Sequence, residues 1–353
     1  MTTARAHSRL DLSRRVAPHL IHRRGSPTID FHTHIVVPEV EKLVSDNPKA
    51  QARNFVSQRS ARFQARQAKA IFDKNTKPRV RLKDMDAMGV DIQLISPLLT
   101  HYCYWAEPRL GLKIARMCND RVADMVNEKP DRFAGLGSVP LQDVPASVKE
   151  LERAVIDLKL KGVIISSRVE NTELGDPALR PFWARAESLG AIVYVHPAGY
   201  NHKDRFEKFF TWNSIGQPLE ETIALSSLIH EGVLDRFPKL KICFAHGGGY
   251  LPFYSGRMDR AFEARPETRE HIDRKPSAYL GRLYYDSVLY DPLQLEFLVR
   301  KVGPDRIVMG TDYPVFLGET DPVGFIRGTK GISRKAQDAI LWRNAARLLG
   351  LKL

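Results

Sequence analysis

Short apolar, β-branched runs recur along the chain, and each gives way to a stretch where apolar residues return every three or four positions. The runs read TIDFHTH (28–34), VDIQLISP (90–97), RFAGLGSVP (132–140) and GVIISS (162–167). They continue as AIVYVHP (191–197), KICFAHGGG (241–249), RLYYDSV (282–288) and DRIVMGTDYP (305–314). Between them lie segments such as PASVKELERAVIDLKL and ALRPFWARAESLG, whose spacing predicts amphipathic helices. Eight strands alternating with helices predict an α/β fold of the (β/α)₈ TIM-type barrel class. A doubly wound open sheet is the alternative, and the lack of a glycine-rich phosphate loop after the first run counts against it. The stretch 38–85 is long for a single connection. It predicts a helical insertion after strand 1, around 41–80, set over the barrel mouth. No repeat or linker divides the chain, so a basic N-terminal arm over 1–27 and one catalytic barrel over 28–353 are expected.

In such a barrel, chemistry gathers at the C-terminal ends of the strands. Strand 1 ends in His32-Thr33-His34, and alternation predicts both imidazoles on one side, with Phe31 and Thr33 on the other. Strand 5 ends in His196, strand 6 in His246 and strand 8 in Asp312. A lone strand-end histidine is more often a satisfied structural residue than a ligand. Five metal-competent or acid–base residues at equivalent places on four strands point instead to a metal site.

His32, His34, His196 and Asp312 offer three nitrogens and one carboxylate oxygen, with room left for a water or substrate oxygen. That set suits a catalytic Zn²⁺, and Mn²⁺ fits the same mixed donors. A single ion is expected, because strand 4 ends in Ile165-Ser166-Ser167-Arg168 without a bridging group and Lys161 stands at its opposite end. His246 remains for proton transfer, with Gly247-Gly248-Gly249 behind it permitting a sharp turn. Arg257, in the helical pattern that follows, is suited to grip a carboxylate; the alternative is an ordinary helix-surface arginine. Asp286, at the end of strand 7, is a candidate support for the site or a helix cap. His101 and His202 fall in loops.

Composition refines this picture. The 353 residues are 43% hydrophobic, enough for a sizeable core, and no apolar run approaches the ~18 residues of a membrane helix. Cys103, Cys118 and Cys243 show no metal-like spacing and read as reduced thiols of a cytoplasmic protein. The net charge of +13 is concentrated: residues 1–27 carry +5 and residues 49–83 carry +10. The first segment has the composition of a transit peptide or of a loose arm, and the arm is the reading adopted. The second reads as a solvated basic helix face or an attraction for anionic substrates, with nucleic-acid binding as the weaker alternative.

The stretches DFHTH, VYVHPAG, CFAHGGGYLPFYSGR and MGTDYPVFLGE resemble the amidohydrolase superfamily. More narrowly, they are similar to its non-oxidative decarboxylases, typified by aminocarboxymuconate-semialdehyde decarboxylase. The resemblance covers residues 28–40 and roughly 81–350. It implies a barrel with one metal ion, usually zinc, held by His32, His34, His196 and Asp312; a further part for Asp312 in proton relay is a hypothesis of the mechanism and not of the resemblance. It assigns proton transfer to His246. It makes Arg257 a substrate-carboxylate binder reaching into a neighbouring subunit, and so implies a homodimer. The implied reaction is decarboxylation of a small acid, either a carboxylated muconate semialdehyde or a hydroxybenzoate-type acid of aromatic catabolism.

Three departures put the substrate in question. The family's substrate-holding arginine after strand 1 has no clear counterpart in 41–80. The usual DYPFPLGE pattern becomes Asp312-Tyr313-Pro314-Val315-Phe316-Leu317-Gly318-Glu319. An aromatic that usually follows the strand-5 histidine is replaced, leaving Phe209 or Trp212 to fill its space. Two other functions are weighed: a hydrolase or hydratase using a metal-bound hydroxide, and an anion- or nucleic-acid-binding protein on a degenerate barrel.

Overall fold

The computed structural model describes residues 27–51, 58–198, 205–206 and 208–351. The basic arm, apart from Pro27, and His202 lie outside the described residues. Eight strands follow one another: β1 (Ile29–Ile35), β2 (Ile92–Pro97), β3 (Phe133–Gly135) and β4 (Gly162–Ile165), then β5 (Ile192–Val195), β6 (Lys241–Phe244), β7 (Tyr284–Asp286) and β8 (Ile307–Val308). They pair in parallel as two arcs, β1-β2-β3 and β8-β7-β6-β5-β4. The arcs meet at both ends. Thr33 of β1 bridges Tyr313 beyond β8, and Gly137 beyond β3 bridges Val163 of β4. Hydrogen bonds from His34 N to Tyr313 O (2.8 Å) and from Gly137 N to Gly162 O (2.9 Å) seal the seams. The fold is a TIM barrel. A short antiparallel hairpin, Arg168–Val169 with Thr172–Glu173, follows β4 and gave no signal in the sequence.

Strands inside a ring of helices are covered on both sides, which is why all seven residues of β1 are buried. The helices that cover them carry their own start and stop signals. Asp143 caps Val144–Glu152 by accepting from Ala146 N. Gly190, at φ 61°, ends Arg180–Leu189 in the left-handed conformation that glycine adopts without a Cβ clash. Phe182 and Trp183 on that helix are fully buried against the barrel. Each such side chain contributes roughly 1.5–3 kcal/mol.

The connection from β1 to β2 contains four helices: Pro38–Val44, Pro48–Gln51, Gln58–Thr76 and Pro78–Met88. The last one is anchored beneath the barrel rim by Arg81, which is fully buried. Its guanidinium donates to Gln93 Oε1 (3.0 Å) and to the His34 carbonyl, and lies 4.7 Å from the centre of the Tyr313 ring. Tyr313 in turn donates its hydroxyl to Asp84 (2.8 Å). The insertion is thereby tied to the ends of β1 and β8, the two segments that carry His34 and Asp312.

One expectation about β1 needs correction. Its pairing with β2 slips by one residue between Asp30 and Thr33. This bulge interrupts strict alternation. Phe31 and His32 therefore both pack against Tyr194 of β5, at 6.0 and 5.4 Å between ring centres, instead of facing opposite ways. His32 and His34 still converge.

Candidate metal centre and proton-transfer site

The side chains of His32, His34, His196 and Asp312 are buried, and each offers one ligand atom within 4.8 Å of the others. His32 and His34 leave β1 together, their Nε2 atoms 3.1 Å apart. His196 stands just past β5, two residues beyond Tyr194, with its ring centre 5.0 Å from His32 and 4.9 Å from His34. The segment after β8 curls inward, which the run DRIVMGTDYP did not reveal, since only Ile307–Val308 of it is strand. Asp312 takes a left-handed φ of 60° and its N–H donates to His32 O at 2.9 Å. That curl passes so close to β1 that a Cβ on Gly310 would lie 2.9 Å from the His32 Cβ. Only glycine fits there.

Hydrogen bonds fix which nitrogen of each imidazole faces the centre. His32 Nδ1 donates to Asp286 Oδ2 (2.6 Å), and His196 Nδ1 donates to Pro197 O (2.9 Å). His34 Nδ1 faces Ser96 Oγ at 3.4 Å, whose own hydrogen goes to Thr33 O. All three Nδ1–H groups are thus directed outward and three Nε2 lone pairs inward. His196 Nε2 is buried and has no hydrogen-bond partner among the described residues. Asp312 Oδ1 lies 3.2 Å from His32 Nε2 and 3.1 Å from His34 Nε2. Lone pairs and a carboxylate at these separations repel one another unless a positive charge stands among them.

The proton affinities of two of the three imidazoles agree. Burial holds His34 and His196 below the ordinary imidazole value, so both are neutral, the form that binds metal. His32 differs: burial acts the same way on it, but Asp312 and Asp286 outweigh burial and push it up to about 9, so without an ion its Nε2 carries a proton that a bound cation would displace. Asp312 is held well below the usual carboxylate range: burial raises it, and His32 with further imidazole contacts overcomes that. The donor set fits a divalent cation.

His246 follows β6 at a left-handed φ of 47°, and Gly247, Gly248 and Gly249 all have positive φ. A Cβ on Gly249 would meet Pro218 O at 2.1 Å. The tight turn therefore needs glycine, and it lays His246 beside the helix Gln217–His230. There Glu221 accepts from His246 Nδ1 at 2.8 Å, and His246 Nε2 points toward Asp312 Oδ2 at 3.8 Å. Burial opposes the imidazolium, but Glu221 and Asp312 raise its pKa well above the ordinary value.

Glu221 gave no signal in the sequence. Glu220-Glu221 near a helix start resembles any acidic first turn, and only the packed structure separates them. Glu220 pairs with Arg168 Nε (3.1 Å) while Glu221 turns to His246. His101 serves the fold and not the site: it is buried and accepts from Val37 N at 3.2 Å.

A cavity of 1480 Å³ opens above the site, reaching His196, His246 and Asp312. Of the two aromatics expected to fill the space beyond β5, Trp212 lines it, together with Phe210. Phe209 is 91% exposed and does not line it, because the chain turns through left-handed φ at both Phe209 and Phe210. Arg257, on the helix Leu251–Ala264, is exposed and absent from the walls of its own chain's cavity. The three cysteines are buried and form no disulfide. No helix among the described residues is long and apolar enough to cross a membrane.

The amidohydrolase family profile matches residues 29–351. The chain is 40% identical over 275 residues to the 2-amino-3-carboxymuconate-6-semialdehyde decarboxylase of Dictyostelium discoideum, spanning 78% of this chain and 77% of that one. It is 29% identical over 250 residues to the gamma-resorcylate decarboxylase of a Rhizobium species, spanning 66% and 76%. Among solved structures, the 5-carboxyvanillate decarboxylase of Sphingomonas paucimobilis superposes with a TM-score of 0.79 at 25% identity, over 92% of this chain and 99% of that one.

Proposed function

The chain belongs to the amidohydrolase family, and on that premise we propose that it is a metal-dependent, non-oxidative decarboxylase working in the cytoplasm. Its substrate class is a carboxylated muconate semialdehyde or a hydroxybenzoate-type acid. The observation behind this reading is that His246 points at the same Asp312 carboxylate on which His32 and His34 converge.

His32, His34, His196 and Asp312 hold one divalent ion, zinc by the character of the donors, with manganese fitting the same set. That ion supplies positive charge to polarise the substrate's oxygens. His246, protonated and held at Nδ1 by Glu221, presents its Nε2 proton to the carbon bearing the carboxylate. Once that carbon is protonated, the bond to the carboxylate breaks, its electron pair returns to the conjugated system, and CO₂ leaves. One proton is consumed per CO₂, and no oxidant is needed. Trp212 and Phe210 wall the cavity, orient a flat substrate and exclude water.

Arg257 completes the proposal. It is exposed on its own chain, and in this reading it binds the carboxylate in a second copy, the working form being a homodimer. Mixing His246→Ala with Arg257→Ala protein restores activity if the site is shared, and restores none if each chain works alone.

The function itself is tested by metal analysis followed by CO₂ measurement over a panel of carboxylated muconate semialdehydes and hydroxybenzoates. Acid formation without CO₂ would instead identify a hydrolase or hydratase.

A further inference from the structure

The 1480 Å³ cavity is larger than the roughly 300–1,000 Å³ of ordinary small-molecule pockets. A one-ring acid seated at the metal end leaves most of it unfilled. Its walls include two edge-to-face aromatic pairs, Phe63–Phe316 with ring centres 5.6 Å apart and Phe210–Trp212 at 5.0 Å. Such walls suit a second flat, apolar unit.

The polar lining is one-sided. Asp312, at the metal end, is the only acidic side chain among the described lining residues. The helix Gln58–Thr76 brings Arg62 and Arg66, one turn apart on the same face, to the cavity. Neither guanidinium has a hydrogen bond or ion pair among the described residues, although other arginines of the chain are extensively paired. Two further donors that line the cavity, Trp212 Nε1 and Gln67 Nε2, are buried without an acceptor among the described residues. Buried donors left unpaired are costly, and an indole N–H can only donate. What these lining donors lack is an acceptor with negative charge.

We infer that the outer cavity is a second anion subsite. The substrate is an acid of two rings, or of comparable length, with a second carboxylate remote from the one lost as CO₂. Arg62 and Arg66 grip that distal group, and oxygens along the substrate accept from Trp212 and Gln67. The inference rests on the decarboxylase reading and extends it to the length and charge of the substrate.

The test is calorimetric binding to the metal-loaded full-length protein, using three unreactive probes that carry a nitro group in place of the scissile carboxylate. One is a one-ring nitrophenol, one a two-ring nitrophenol with a distal carboxylate, and one its distal carboxamide. The expected order places the distal carboxylate about tenfold or more tighter than its amide, the effect of a charge-assisted grip. That gap closes in the Arg62→Gln/Arg66→Gln double variant, whose exposed positions leave folding intact. Trp212→Phe, which keeps an aromatic side chain but removes the N–H, weakens both two-ring probes. Equal affinity for carboxylate and amide overturns the subsite, as does a one-ring probe that binds as tightly as the longer ones. A gap that persists in the double variant overturns the assignment to Arg62 and Arg66. CO₂ release from the matching two-ring hydroxy acid is followed in parallel. A tenfold gap without CO₂ refutes the decarboxylase reading and supports the subsite, whereas CO₂ without a gap refutes the subsite alone.

Discussion

The imidazole of His32 donates from Nδ1 to Oδ2 of Asp286 at 2.6 Å, joining the first strand to the seventh across 254 residues of sequence. Asp286 is itself held in place. Tyr194 donates its hydroxyl to the same oxygen at 2.7 Å, and Gly247 N donates to the other oxygen at 3.2 Å. A carboxylate placed this way fixes the tautomer of a metal-binding histidine and raises its basicity. Asp286→Asn keeps the shape and loses the charge. Metal affinity is expected to fall about 10–100-fold, read by competition with a chromophoric chelator. An unchanged affinity would remove Asp286 from the site.

His246 and Glu221 form a second joined pair with a different role. His246→Ala should lower kcat by about 10²–10⁴ while the protein still binds one ion. Glu221→Gln should lower kcat by about tenfold or more with a smaller change in KM, since Glu221 orients the imidazole without touching substrate. Near-normal turnover by His246→Ala would end the proton-transfer assignment.

Removing the ion should cost both activity and stability. Without it, the charge gathered at the site is offset only by the proton His32 takes up beside Asp312, while the neutral His34 and His196 lose their partner. An ion present at about 1,000 times its Kd contributes about 4 kcal/mol, so a chelated protein should melt at a visibly lower temperature. Restoring zinc and manganese separately, with CO₂ release as the readout, identifies the preferred metal. Full activity after exhaustive chelation contradicts the proposal.

His101 predicts a pH effect on stability away from the chemistry. Its burial lowers the pKa below the ordinary 6.5 and outweighs the contacts with the Val37 and Leu98 backbone. The unfolded chain takes up a proton near pH 6.5, while the folded chain resists until lower pH. The stability contributed by neutral His101 is therefore complete above pH 6.5 and is lost as pH falls through the folded value. Urea midpoints compared at roughly pH 5 and 7.5 should differ less in His101→Gln than in the parent protein. An identical pH dependence in both sets the prediction aside.

The metal-ligand candidates were legible because a barrel leaves few alternatives. Parallel strands closed into a ring bring every C-terminal strand end to one rim, so His32, His34, His196, His246 and Asp312 could be assembled from strand order alone. Of their supporting groups, Asp286 was legible as a candidate at the end of strand 7, but Glu221 was not. Nothing in Glu220-Glu221 as a pair of acids tells which one will meet His246, because that depends on how the Gln217–His230 helix rolls against the Gly247–Gly249 turn. The bulge at Phe31-His32 was hidden for a related reason, since register is a property of two strands and a single strand's alternation does not contain it.

By itself the sequence determined the local terms: the strand and helix periods, the glycines that tolerate left-handed backbone, and the donors at each strand end. Those depend on neighbours a few residues apart and on side-chain chemistry. The tertiary structure decided which nitrogen of each histidine faces the centre, that Trp212 and not Phe209 lines the cavity, and that Arg62 and Arg66 reach its wall. Those outcomes are distances between segments far apart in the chain, and they are set only when the ring closes and the insertion packs against it.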